Sequence, residues 1–223
     1  MTEPALLVDS LWIRFGSAVI LQGAFLRVDR GTVCALVGRN GSGKSTLLKA
    51  IAGIHRHTQG FVSIQGERFI FPNRSKRFHH MSYLPQTPLL PIGLRLSHIE
   101  EQLPQHVVRT ILSSNSNFKR HGRLSELSFG VRRYVEVHFT IGLGRPVVLL
   151  DEPFHSIDPI LIESLCDVIR SRAATGTTFV VTDHNLQYVE QIATAVWLVE
   201  SRTIREIKEP PESLREVMRR PPL

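Results

Sequence analysis

Apolar residues fall in short blocks along this chain, and the blocks change spacing part-way through. Residues 5–8, 11–15, 21–28 and 32–37 are β-prone runs, broken by turns at Phe15-Gly16-Ser17 and Asp29-Arg30-Gly31. That pattern predicts an antiparallel β layer leading into an unbroken apolar strand, Thr32-Val33-Cys34-Ala35-Leu36-Val37. Residues 61–65 and 68–71, around Gly66, read as two more strands of the same layer. Between them, residues 46–54 carry apolar groups at helical spacing and close on Gly53.

The second half alternates. Residues 72–81 are polar and basic and read as a loop, and 81–84 is a short strand ending at Pro85-Gln86. Pro88 and Pro91 forbid a helix before Leu94. A short helical insert is expected at approximately 88–130, with helices over 97–102 and 104–113 and Pro104 in the first turn of the second. The polar run Ser113-Ser114-Asn115-Ser116-Asn117 is too short to separate domains. A helix follows over 128–143, with Val131, Val135, His138 and Phe139 near one face. Then come a buried strand at 146–150, an amphipathic helix at 159–172, a buried strand at 177–181 and a helix at 186–192. A hairpin over 195–200 and 204–207 and a basic helix over 213–220 complete the chain. Strands alternating with helices predict a parallel α/β core.

The sharpest chemical signal lies between the first buried strand and the first helix. Gly38-Arg39-Asn40-Gly41-Ser42-Gly43-Lys44-Ser45-Thr46 has the G-x-x-x-x-G-K-[ST] spacing of a phosphate-binding loop. Glycines let backbone N–H groups turn inward around an anion, and the helix start adds partial positive charge. Lys44 is placed to reach β- and γ-phosphates, and Ser45 to offer its hydroxyl to Mg²⁺. A Gly-rich turn that binds nothing is the plainer reading, and the later motifs argue against it. Leu149-Leu150-Asp151-Glu152 supplies the acids that phosphoryl transfer needs, at the end of a buried strand. Asp151 suits Mg²⁺, through water, and Glu152 suits a general base for the attacking water. Two acids after a strand can also be a simple helix cap, but the phosphate loop favours the catalytic reading. The fold class is therefore α/β: a phosphate-loop NTPase core with a parallel sheet, an antiparallel β layer in the N-terminal part and a short helical insert, forming a single domain over 1–223.

Composition narrows the picture a little. The 223 residues are 42% hydrophobic and 21% charged, an ordinary globular balance. No run approaches the roughly 18 apolar residues of a membrane span, and Met1-Thr2-Glu3-Pro4 has no secretory pattern, so a cytoplasmic protein is expected. Cys34 and Cys166 lack metal spacing and read as reduced, partly buried thiols. The net charge of +7 favours anionic partners, with basic clusters at 74–77, 119–123 and 215–220. Scattered surface charge accounts for it equally well. His55, His57, His79 and His80 read as solvated loop residues without ligand spacing, and Trp197 as core.

Taken together, the motifs resemble the ATP-binding cassette family, the nucleotide-binding subunits of ABC transporters, from about Leu6 to Ile207. Pro85-Gln86 looks like the family's Q-loop, Leu127-Ser128-Phe129-Gly130-Val131 stands where its LSGGQ signature belongs, and Ser156-Ile157-Asp158 resembles the D-loop. His184 matches the switch histidine and Phe15 the aromatic residue that stacks on adenine. The resemblance implies ATP and Mg²⁺ as cofactors, with Asn40, Gly41, Ser42, Gly43 and Thr46 in the cradle. It implies that Gln86 links the γ-phosphate and Mg²⁺ to the groove where a membrane partner docks, and that His184 holds the water geometry. It implies that Ser128 and Gly130 reach the γ-phosphate bound by an opposite subunit, with Asp158 at that interface. The expected assembly is a homodimer, or a heterodimer with another such ATPase, serving a separate permease from the inner face of the cell membrane. Phe129 and Val131 depart from the signature, and the insert is short. The strings around Asp151-Glu152-Pro153-Phe154 and Thr182-Asp183-His184-Asn185 look most like lipopolysaccharide-export and branched-chain amino-acid uptake ATPases. The alternatives are a soluble cassette acting on nucleic acid or a macromolecular complex, and a regulatory nucleotide binder with little turnover. No groove-reading or aromatic-basic array is present, so specific nucleic-acid binding is not expected.

Overall fold

Strands that are apolar on both faces must be covered on both faces, and this chain builds two cores to do so. The computed structural model describes residues 3–55, 58–71, 77–114 and 119–208, with 214 and 216. In chain order it contains β1 (Leu6–Phe15), β2 (Ala18–Val28), β3 (Val33–Val37), α1 (Lys44–Ile51), β4 (Thr58–Ile64), β5 (Glu67–Ile70) and β6 (Met81–Leu84). There follow α2 (Gln105–Ser114), α3 (Phe129–Gly142), β7 (Val147–Asp151), α4 (Pro159–Ala174), β8 (Thr178–Thr182), α5 (Leu186–Ile192), β9 (Ala195–Glu200) and β10 (Thr203–Glu206). The expected helix over 213–220 lies outside the described residues apart from 214 and 216.

The N-terminal layer is antiparallel, in the order β2-β1-β4-β5. Its first two expected strands are one, β1. Ser10 takes φ 51 and the register slips between Val8 and Leu11, so a bulge absorbs the polar Asp9-Ser10 pair without ending the strand. The central sheet runs β10-β9-β3-β8-β7-β6, parallel from β9 to β6, with β10 antiparallel at its edge. Alternation along β3 explains its unbroken apolar run. Val33, Ala35 and Val37 enter the core shared with α2, α3, α4 and α5, while Cys34 and Leu36 enter the core shared with α1 and the antiparallel layer. Both cysteines are buried and free, and burial pushes the Cys166 thiol up to about 11. Trp197 is buried, as expected. Among the described residues no helix is long and apolar enough to cross a membrane.

Three further expectations change. The helix over 97–102 is instead two short 3₁₀ turns, Leu96–His98 and Glu100–Gln102. Leu96, Ile99 and Leu103 are buried, the amides of His98, Ile99, Gln102 and Leu103 each donate to the carbonyl three residues earlier, and the amides of Leu96 and Ser97 donate outward to the carbonyls of Gly122 and Arg120. The basic cluster at 74–77 is no surface patch at Arg77, which is fully buried. Its Nη1 donates to the carbonyls of Ala50 (3.2 Å) and Ile51 (3.1 Å), capping the negative end of α1, and its guanidinium lies 4.2 Å from the centre of the Phe71 ring. Burial pulls its pKa down to about 10. His80 is not simply solvated, since its Nε2 lies 3.0 Å from Glu67 Oε2. No group of three or more His, Cys, Asp or Glu gathers as a metal site among the described residues.

His138 sits where the sequence placed it, on the buried side of α3, edge-on to Tyr134 (4.5 Å) and His106 (5.6 Å). Its Nε2 has no partner among the described residues, and burial, with His106 nearby, lowers its pKa to about 3. The unfolded chain binds a proton there near pH 6.5, and the native chain does not until far lower. Stability therefore falls as pH drops below 6.5, by up to about 2 kcal/mol at pH 5. Urea unfolding at pH 7 and pH 5 checks this: His138→Phe should lose correspondingly less than the wild type. Equal losses would contradict it.

Candidate active site

The turn after β3 has room for backbone and little else. Gly38 has φ 155, and a Cβ there would lie 2.5 Å from the carbonyl oxygen of Val199. Gly43 caps α1 in a left-handed conformation (φ 106) without any side-chain hydrogen bond, which leaves the first amides of the helix open to an anion. The Ser42 hydroxyl is buried and has no hydrogen-bond partner among the described residues. Lys44 Nζ donates to the carbonyls of Gly38 (2.7 Å) and Arg39 (3.1 Å), so the ammonium lies over the loop. Burial lowers its pKa, and the carboxylates of Asp151 and Glu152 pull it back up. Open helix amides, an unpartnered hydroxyl and a folded-over ammonium suit a polyphosphate.

The acidic pair stands beside this loop. Asp151, the last residue of β7, is fully buried. It accepts from the Ser45 hydroxyl (2.9 Å) and the Tyr83 hydroxyl (3.3 Å). Burial raises its pKa, and those two hydrogen bonds lower it. Glu152 has φ 54, a left-handed backbone worth roughly 1–3 kcal/mol of strain in a non-glycine residue. Its amide is held by the carbonyl of Thr182 at 2.7 Å. One carboxylate oxygen, Oε1, receives both Gln86 Nε2 and His184 Nε2, each at 2.9 Å. The His184 contact requires its proton on Nε2. Asp183, raised by burial, accepts from the amides of Phe154 (2.9 Å) and Asn185 (2.8 Å) and so fixes the two loops on either side of Glu152.

These residues surround an open cleft of about 280 Å³, lined by Asn40, Gly41, Gly43, Lys44, Ser45 and Thr46 from the loop and by Ile20 from β2. Gln86, Glu152, Thr182 and His184 line it from the ends of β6, β7 and β8. Gly38, Ser42 and Asp151 are not among its lining. The other expected residues are elsewhere. Phe15, at the end of β1, is 69% exposed and faces His55 at 5.5 Å, outside the cleft lining. Ser128, Gly130 and Asp158 do not line the cleft either.

Those last three residues have local structural duties. Ser128 caps α3, its hydroxyl accepting from Val131 N at 3.3 Å, and Asp158 caps α4, accepting from Ile160 N at 2.9 Å. Gly130 packs directly on the carbonyl of Ser156, with no space for a Cβ. Ser156 itself has φ 59. Phe129 is half-exposed, edge-on to His155 at 5.8 Å, with Arg132 5.5 Å from the ring centre. The segments around 128–131 and 155–158 are thus one packed unit.

Sequence reasoning missed Arg133, Glu136 and Tyr83. Arg133 and Glu136 are buried polar residues of α3, joined at 3.3 Å. An Arg and a Glu three apart on a helix ordinarily read as a surface pair, so the sequence carried no signal that these two are buried. Burial lowers the pKa of Arg133, and Glu136, then Asp151 and Asp183, raise it.

Comparison with known proteins agrees with this geometry. The sequence profile described as "ABC transporter" matches residues 21–155. The chain is 27% identical over 220 residues to the glutamine transport ATP-binding protein GlnQ of Escherichia coli K12, covering 88% of this chain and 91% of that one. It is 28% identical over 224 residues to the lipopolysaccharide export system ATP-binding protein LptB of Acidithiobacillus ferridurans, covering 94% and 92%. Among solved structures it resembles an ATP-binding subunit of an ABC transporter, with TM-score 0.77 and 24% identity over 96% of this chain and 91% of that one. The profile runs from the second strand to just past the acidic pair, more than half of the chain, and on that ground this protein belongs to the ABC transporter family, as one of its ATP-hydrolysing subunits.

Proposed function

We propose that the chain hydrolyses Mg²⁺-ATP in sites shared between two such subunits, and that it does so for a separate permease on the inner face of the cell membrane. The observation that carries this reading is the double hold on Glu152 Oε1 by Gln86 and His184 beside the phosphate loop. Lys44 and the open amides of α1 bind the phosphates. Glu152 takes a proton from the attacking water, and His184 and Gln86 hold that carboxylate at the mouth of the cleft. When bound, Mg²⁺ would supply positive charge against the developing negative charge of the phosphates. Ser45 and Asp151, already 2.9 Å apart, would hold it, with Gln86 from the cleft lining. Phe15 offers an exposed ring for adenine.

The cleft is open on one side, and Ser128, Gly130 and Asp158 lie outside its lining. Two subunits arranged head to tail, as a homodimer or with another such ATPase, would bring the capped N-terminus of α3 of one to the γ-phosphate of the other. ATP then favours the dimer and ADP does not. Phe129 adds a ring and Val131 lacks an amide, so the closed pair is weaker than a full signature gives. Sedimentation of Glu152→Gln with ATP, with ADP and without nucleotide tests this. A dimer only with ATP, abolished by Ser128→Arg, is expected. A dimer indifferent to nucleotide and to Ser128→Arg would sink the shared site.

A further inference from the structure

One buried ion pair, outside all the motifs named above, gathers four segments of the chain. Arg133 and Glu136 lie one turn apart on α3, with side chains 3% and 2% exposed. A guanidinium has five N–H groups, and here each has an acceptor. Nη1 donates to the carbonyl of Pro85 (2.8 Å) and to Glu136 Oε2 (3.3 Å). Nη2 donates to the carbonyls of Asp151 (2.6 Å) and Glu152 (3.0 Å), and Nε reaches the Glu152 carbonyl at 3.3 Å. The other Glu136 oxygen, Oε1, accepts from the amides of Leu89 (2.9 Å) and Leu90 (3.1 Å).

The pair therefore holds the chain on both sides of Gln86 and grips the backbone of both acids. Stability alone gives a weak reason for such an arrangement, because a buried ion pair gains little over apolar packing. Fixed geometry is a better one. Glu152 is in a left-handed conformation, and its amide and carbonyl are both held, by Thr182 and by Arg133. Where those two groups point decides where Oε1 meets Gln86 and His184. The same helix begins with Ser128 and Gly130.

We infer that the Arg133–Glu136 pair is a positioning device for hydrolysis, which aligns Glu152 with Gln86 and makes that alignment follow the first turn of α3. The inference rests on the reading of Glu152 as the base. Neither residue lines the cleft, so nucleotide affinity should not depend on the pair. A lysine at 133 keeps the charge but offers one point instead of a fork, and cannot grip Pro85, Asp151 and Glu152 together.

The test is the single-turnover rate per bound ATP, which leaves misfolded chains out of the count. Arg133→Lys should bind ATP as the wild type does and hydrolyse it at least about tenfold more slowly, the cost of a small misplacement. In a Glu152→Gln background the same change should slow hydrolysis by less than about twofold, because the group it aligns is already gone. Glu136→Ala, which frees the amides of Leu89 and Leu90, should also slow the wild type, and Glu136→Gln, which keeps their acceptor, should restore most of the rate. The positioning role is overturned by a normal rate per bound ATP in both Arg133→Lys and Glu136→Ala. It is equally overturned if Arg133→Lys slows both backgrounds by the same factor. Wild-type turnover in Glu152→Gln alone would instead remove the base, a separate result.

Discussion

Glu152→Gln is expected to bind ATP as the wild type does while turnover falls by roughly 10²-fold or more. The amide keeps an oxygen where Gln86 and His184 now donate at 2.9 Å, so the geometry at the mouth of the cleft survives. What is lost is the ability to accept a proton. The left-handed backbone at 152 is held by its neighbours and not by the carboxylate, so the substitution adds no strain there. Steady-state phosphate release beside a nucleotide-binding titration checks both halves. Wild-type turnover would show that the base is another group.

Lys44→Ala is expected to fail one step earlier, at binding. The Lys44 ammonium is the cation aimed across the phosphate loop, and charge-assisted hydrogen bonds of this kind contribute about 1.5–3 kcal/mol. Losing them raises the Kd for ATP by roughly 10- to 100-fold. The carbonyls of Gly38 and Arg39 that now accept from Nζ lie in a part-buried or exposed setting, where water can replace it, so the fold should stand. Titration with a fluorescent ATP analogue reads this directly. An unchanged Kd would mean that the ammonium does not reach the phosphates.

Lys44 and Glu152 were both legible in the sequence. The loop was legible because a turn built of backbone fixes its own spacing, as Gly38 under Val199 shows. The buried strands were legible because β3 and β7 are covered on both faces and tolerate only apolar residues. The break expected at Asp9-Ser10 failed because a bulge can pass two polar residues outward without ending the ladder. The helix expected over 97–102 failed because His98, Ile99 and Gln102 close three-residue turns, while the amides of Leu96 and Ser97 go to carbonyls at 122 and 120, far along the chain. Arg133 and Glu136 were invisible for a related reason. An Arg and a Glu on a helix read as surface, and only the meeting of Pro85, Leu89, Leu90, Asp151 and Glu152 around α3 turns them inward. Arg77 hid in a basic cluster for the same reason, since the end of α1 that it caps lies more than twenty residues earlier. Pattern captures what each segment needs by itself, and it misses polar groups whose partners arrive from elsewhere.

The central claim is that each subunit completes the other's site, and mixing two inactive variants tests it most directly. Lys44→Ala spoils the phosphate loop and keeps the start of α3. Ser128→Arg keeps the loop and spoils the start of α3, where a bulky cation replaces the capping hydroxyl. Each alone should hydrolyse little ATP. A mixed pair has one site with both halves intact, so mixing the two proteins should restore hydrolysis that neither shows alone. A mixture no more active than its parts, or a Ser128→Arg protein as active as the wild type, would contradict the shared site.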